Sequence, residues 1–177
     1  MITLYDAARC PYCARVRVVL VEKGVPYEPV AIDLSNRPPW LYEKNPLGRV
    51  PVLEEDTLVL PESVVIMEYL EERYPEPALL PADPAQRALE RLRIERFDKK
   101  LGDDYYAFRR GDENRLAERL RAFDPPGWGL AAIAYLPWLI RARDMLGAEL
   151  PTHVEAWLEE FAARPAVREE LELVPTL

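Results

Sequence analysis

The chain has little with which to build a metal centre or a disulfide framework. Its 177 residues include one histidine and two cysteines, whereas a structural zinc site takes about four ligands, usually from two clusters. No metal is expected. Two cysteines cannot staple a chain of this size, so an apolar core must hold it. Positive charge is also scarce. Lys and Arg total 23 against 31 Asp and Glu, a formal net charge of -8. The deficit runs through both halves: residues 1–80 carry 8 basic and 13 acidic side chains, residues 81–177 carry 15 and 18. Such a surface lacks the footprint of a phosphate-backbone binder, which argues against direct nucleic-acid contact. No apolar run is long enough to span a bilayer. "MITLYDAARC" has no basic segment followed by an apolar one, as a secretory leader would. The expectation is a cytoplasmic protein without membrane contact, where thiols stay reduced unless they work catalytically.

What is present divides into two textures. "ITLYD" (2–6) reads as a strand. Val16, Val19, Leu20 and Val21 follow Pro11 at helical spacing, and Gly24 is a natural stop. "YEPVAID" (27–33) is a second strand, and "RVPVLEE" and "TLVL" form a pair joined by a turn near Asp56. "ESVVIMEYLEERY" (62–74) is an amphipathic helix with Val65, Met67, Tyr69 and Leu70 as buried candidates. The first 75 residues thus read as a mixed four-stranded α/β module. A proline-dense stretch, 76–83, reads as a linker. Residues 84–177 read as all-helical. Asp83 is the expected N-cap of a helix with Pro84 first and Gln86 completing the box. A shorter helix is expected over 113–123, then a nearly all-apolar central helix over 129–146. Thr152 and Glu155 suggest a capping box for the next helix, and a last helix follows Pro165.

Three short motifs carry chemistry. Cys10-Pro11-Tyr12-Cys13 stands between a strand and a helix. The first sulfur of such a pair faces unsatisfied N–H groups, which with the helix dipole favour the thiolate and lower its pKa. Arg9 and Arg15 add positive potential, and Cys13 lies one turn on, within reach of a disulfide. The plain alternative is two small buried side chains. Val50-Pro51 opens a strand, where proline removes a ladder donor. A cis bond there would leave the Val50 backbone able to pair with a peptide-like ligand, although a trans edge proline reads equally well. Glu62-Ser63 opens a helix, either as an anion site suited to a carboxylate or as plain capping by Ser63.

In this order and spacing, the three motifs resemble the glutathione transferase superfamily, over essentially the whole chain and most strongly over residues 1–85. The resemblance implies a thioredoxin-like N-terminal domain over residues 1–75 that binds glutathione, and an all-α C-terminal domain. It implies that Cys10 is the catalytic thiol, with Cys13 as a possible resolving partner. It further implies a cis Pro51 that, with Val50, holds the cysteinyl backbone of glutathione, and Glu62 and Ser63 at its γ-glutamyl end. Arg49 falls near the expected glycyl carboxylate.

The implied activity is that of a cysteine-type, omega-like transferase working by thiol–disulfide exchange. Glutathione is the cosubstrate, a small disulfide or electrophile the second substrate, and no cofactor is bound; a homodimer is implied. Residues 41–81 are also similar to the stringent starvation protein A branch, which implies a non-enzymatic adaptor on RNA polymerase. That branch lacks the cysteine and carries Pro-His-Pro where this chain has Pro75-Glu76-Pro77. A redox sensor built on the same dithiol is a third reading.

The helical part departs from the family. It is short before the central helix, and the usual Ser-x-x-Asp cap appears as Gly129-Leu130-Ala131-Ala132, a loss worth about 1 kcal/mol. Tyr105, Tyr106, Phe108 and Trp138 either line a second-substrate pocket or fill the core. His153 reads as a solvated surface residue.

Overall fold

The computed structural model describes residues 1–176; Leu177, the last residue of the expected helical domain, lies outside them. The chain divides into two compact units, Met1–Pro77 and Ala78–Thr176. The stretch expected to link two domains is therefore shared between them.

The first unit holds β1 (Ile2–Asp6), α1 (Pro11–Glu22), β2 (Tyr27–Ala31), α2 (Leu41–Lys44), β3 (Val52–Glu55), β4 (Leu58–Pro61) and α3 (Ser63–Arg73). The sheet order is β2-β1-β3-β4. β1 pairs parallel with β2 through the α1 crossover, and antiparallel with β3, which forms a hairpin with β4. It is the mixed sheet expected of a thioredoxin-like domain, and the second unit is all-helical.

Alternation along β1 buries Ile2, Leu4 and Asp6, as period 2 requires. α1 is apolar on most sides, burying Val16, Val18, Val19 and Leu20; each such side chain contributes about 1.5–3 kcal/mol of transfer free energy. α3 buries Ile66, Met67 and Leu70, but Val65 is 50% exposed and Tyr69 only partly covered. The Tyr69 hydroxyl is drawn outward to Glu55, at 2.6 Å. A buried Lys23–Glu71 ion pair ties the end of α1 to α3, and Lys23 also donates to the Pro77 carbonyl at 2.7 Å.

The second unit holds α4 (Pro84–Arg110), α5 (Leu116–Arg121), α6 (Leu130–Asp144), α7 (Thr152–Phe161), α8 (Pro165–Leu173) and a terminal 3-10 turn. Asp83 caps α4 by accepting from the Gln86 N–H at 2.9 Å. α6 is buried from Leu130 to Ala142. Its Arg141 pairs with Glu170 of α8 at 3.0 Å inside the core, which leaves neither charge alone in an apolar setting.

The capping box expected at Thr152 and Glu155 is absent. Pro151, not Thr152, is the N-cap of α7: its carbonyl accepts from Val154 and Glu155 N–H groups at 2.8 and 3.0 Å, so the helix begins one residue earlier than the Thr-x-x-Glu spacing suggested. Glu155 instead pairs with Arg143 at 3.0 Å.

At α6 the N-cap Gly129 has no side chain to offer, and a Cβ there would sit 2.9 Å from the Leu79 carbonyl oxygen. That same carbonyl accepts from the Leu130 N–H at 2.9 Å. A backbone acceptor from Leu79 thus does part of the work of the missing side-chain cap, and it leaves no room for a serine.

Candidate functional site

Sheet register gathers the three motifs at one pole of the first unit. Tyr5, next to the C-terminal end of β1, pairs with Val52 at the start of β3; Val52 pairs with Pro61 at the end of β4. The segments that leave the sheet there are 7–10, 50–51 and 62–63, so the cysteine, proline and serine motifs come to one end of the sheet, although Cys10 and Val50 are 40 residues apart in the chain.

Cys10 is the N-cap of α1, with Pro11 first in the helix and no side-chain capping bond. Its N–H is tied to the Ala7 carbonyl at 2.8 Å, which closes the turn out of β1. The Cys10 side chain is half-buried, and its Sγ lies 3.9 Å from the Val50 carbonyl oxygen. The Val50–Pro51 peptide is cis. Val50 stands just outside the β3 ladder, which begins at Val52.

Cys13 is fully buried. It belongs to an apolar cluster with Ala7, Ile32, Leu41, Val50 and Val52, against which Cys10 packs. Burial pushes the Cys13 thiol well above its usual range; its hydrogen bond to the Cys10 sulfur and the charge of Asp6 push the same way. Asp6 itself is fastened to α1 by Arg17, whose Nη1 donates to both carboxylate oxygens at 2.7 and 2.8 Å. Of the two arginines expected to add potential, Arg9 is exposed, whereas Arg15 is buried with its guanidinium over the Tyr12 ring, 4.7 Å from the centroid.

Glu62 is the exposed N-cap of α3, with φ at 71°, a left-handed conformation that a non-glycine residue adopts only where its surroundings impose it. Its side chain makes no capping bond. Ser63 is the first helical residue and is buried, and its hydroxyl has no partner among the described residues. The plain capping role is therefore not what Ser63 does. The first turn of this 11-residue helix keeps N–H groups available to an anion.

Arg49 is exposed, on a loop whose architect is Asn45, a residue that sequence reasoning passed over. Asn45 is 3% exposed. Its Nδ2 donates to the Arg49 carbonyl at 3.0 Å, and its Oδ1 accepts from the Leu47 N–H at 3.1 Å. Gly48 completes the loop with φ at 60°; a Cβ there would lie 2.5 Å from the Tyr42 ring. Asn45 and Gly48 together fix the backbone of the loop that leads into Arg49 and Val50. The available signal was the Asn-Pro-x-Gly turn composition.

Among the aromatics weighed as pocket or core, Tyr105 and Trp138 are buried, with ring centroids 4.9 Å apart. They are core. His153 is exposed, its Nε2 3.0 Å from the Phe123 carbonyl oxygen.

Comparison with known proteins finds similar sequences and a similar fold. A family model described as "Glutathione S-transferase, N-terminal domain" matches residues 4–78. Mouse glutathione S-transferase omega-1 is 44% identical over 99 residues, 55% of this chain and 41% of that protein. The stringent starvation protein A homolog of Haemophilus influenzae is 38% identical over 133 residues, 75% of this chain and 63% of that protein. The chain thus spans less than two thirds of the length of either relative. Among solved structures, glutathione transferase Omega 1C of Trametes versicolor superposes with a TM-score of 0.83 at 27% identity, covering 99% of this chain and 93% of that one.

Proposed function

We propose, from the premise that this chain belongs to the glutathione S-transferase superfamily, that it is a glutathione-dependent thiol transferase with Cys10 as nucleophile. The observation that carries the reading is the approach of the Cys10 sulfur to the Val50 carbonyl, 3.9 Å, beside a cis proline. A thiol at a helix start faces the backbone of a strand that is free to receive an extended peptide.

In this reading glutathione lies along Val50 and Pro51, its cysteinyl backbone antiparallel to the strand. The γ-glutamyl carboxylate sits on the N-terminus of α3 at Ser63, and its amino group turns to Glu62. Arg49 takes the glycyl carboxylate. The Cys10 thiolate attacks the glutathionyl sulfur of a mixed disulfide, S–S exchange follows, and the substrate leaves as a thiolate that takes its proton from water. No resident cofactor is required. The protein works in the cytoplasm as a homodimer, with a small disulfide or electrophile as second substrate.

Mass spectrometry of the protein after incubation with oxidised glutathione tests this. One glutathione on Cys10 is expected. No adduct, or an adduct on Cys13 alone, overturns the assignment.

A second reading has its own support in the Haemophilus influenzae relative, which matches 75% of this chain. In it the protein is a non-enzymatic adaptor on RNA polymerase, and the cysteine pair is a relic or a sensor. It would lead if the chain captures RNA polymerase yet neither binds glutathione nor transfers thiols.

A further inference from the structure

We propose that the first unit carries a second binding site, at the end of the sheet opposite the Cys10 pole, and that it takes a small organic cation: a protonated amine on an apolar or aromatic body. None of its residues takes part in the thiol chemistry proposed above, so the two readings stand or fall separately.

Sheet register builds its floor. Ile2, the first residue of β1, pairs with Tyr27 of β2 on one side and Glu55 of β3 on the other, and residues so paired present their side chains to one face. With Val25, Pro26 and Tyr74 they border a cleft of about 600 Å³, a volume within the ordinary range of small-molecule sites. β1 rises about 3.3 Å per residue, so the cleft stands about 13 Å along the strand from the end that leads to Cys10.

Charge decides what the cleft can take. Its one lysine is already committed: the Lys23 ammonium is buried in the ion pair with Glu71 and donates to the Pro77 carbonyl at 2.7 Å. The amino group of Met1 lies outside, 3.8 Å from Asp56. Two carboxylates face the cleft, Glu28 on its exposed rim and Glu55 deeper in. Glu55 accepts the Tyr69 hydroxyl at 2.6 Å on one oxygen and the Tyr74 hydroxyl at 3.0 Å on the other. The Tyr69 bond, and with it that of Tyr74, holds Glu55 below the usual carboxylate range. The carboxylate therefore stays ionised and fixed in place, with lone pairs left for a further donor. α1 and α3 both end here, with Lys23 and Tyr74 as their C-caps, and helix C-termini favour positive charge. The Tyr74 ring already receives one cation, since the Arg73 guanidinium lies 5.2 Å from its centroid. Two carboxylates on an otherwise apolar and aromatic wall suit an ammonium better than a bare metal ion, which takes six or more oxygen ligands.

The test is an amide-resolved NMR titration of the full chain with three probes of one shape: phenethylamine, phenethyl alcohol and phenylacetate. The amine should shift the amides of Gly24, Val25, Tyr27, Glu55 and Tyr74 while those of Cys10, Val50 and Ser63 stay in place. The neutral alcohol should bind roughly tenfold more weakly, as for one lost hydrogen bond to a charged group, and the anion more weakly still. Glu55→Gln should lower the amine affinity by about tenfold and leave that of the alcohol unchanged. Glu28→Gln, on the exposed rim where the fold is not at stake, should lower it in the same direction by a smaller factor. Amine and alcohol that bind equally well, or an amine affinity unchanged in both variants, would overturn the charge argument. Saturating amine that shifts none of these amides would overturn the site itself. Either failure leaves the transferase reading standing, because glutathione uptake at Cys10 is read separately.

Discussion

Ser63 and Cys13 show how much one side chain carries here. Under the proposed function the Ser63 hydroxyl, unpartnered within the described residues, meets the γ-glutamyl carboxylate. Ser63→Ala should then cost roughly 1–3 kcal/mol of glutathione binding, a fall of about 5- to 150-fold in affinity. Isothermal calorimetry reads it directly, and an unchanged Kd would remove Ser63 from the site. Cys13 makes a prediction of opposite kind, about stability. Its thiol is raised in the folded protein above the ordinary value of 9.0. The folded state therefore holds a proton that the unfolded chain releases. The stabilisation is fully present below the unfolded pKa and is lost as pH rises through the folded one, at up to about 1.4 kcal/mol per pH unit. Urea midpoints of wild type should fall more steeply above pH 9 than those of Cys13→Ala; parallel slopes would contradict the burial argument.

Elements, rather than residues, bring the three motifs to one pole. The placement of Cys10 before a helix, Pro51 before a strand and Ser63 at a helix start was legible because each announces itself locally. Asn45 was not, because its two bonds to Leu47 and Arg49 are a conformational choice of a polar loop and leave no periodicity in the chain. Asn45→Ala would leave the Arg49 carbonyl and Leu47 N–H without their partner. We expect about 1–3 kcal/mol of destabilisation and a raised KM for glutathione with kcat little changed. A variant with wild-type melting and KM would show that the loop holds itself. The start of α6 hid for a different reason, since Leu79 and Gly129 meet only in three dimensions. A sequence reading treats Gly129 as a lost cap that serine would restore. The structure predicts the reverse: the serine Cβ meets the Leu79 carbonyl, and overpacking of this kind costs about 1–3 kcal/mol. Gly129→Ser should unfold at lower denaturant than wild type, and a gain in stability would refute the account of this helix end. The Thr152–Glu155 pattern had the right letters for a capping box, but Pro151 took the N-cap in its place.

For the whole molecule, composition excluded more than it specified. A single histidine, two cysteines and a net charge of -8 made a metal centre, a disulfide scaffold or a nucleic-acid surface unexpected. The structure divides into two compact units, Met1–Pro77 and Ala78–Thr176. The central claim is that the pole shared by Cys10, Val50, Pro51, Glu62 and Ser63 binds glutathione and that Cys10 does the chemistry there. Binding and chemistry separate cleanly in one variant, because Cys10→Ser removes the nucleophile and leaves the pocket. The measurement is glutathione binding by calorimetry alongside turnover of a glutathione mixed disulfide, on wild type and Cys10→Ser. The account predicts that Cys10→Ser binds glutathione within a few-fold of wild type and has no turnover. Wild type that neither binds glutathione at millimolar concentration nor reduces the disulfide, or Cys10→Ser that still turns over, would contradict it.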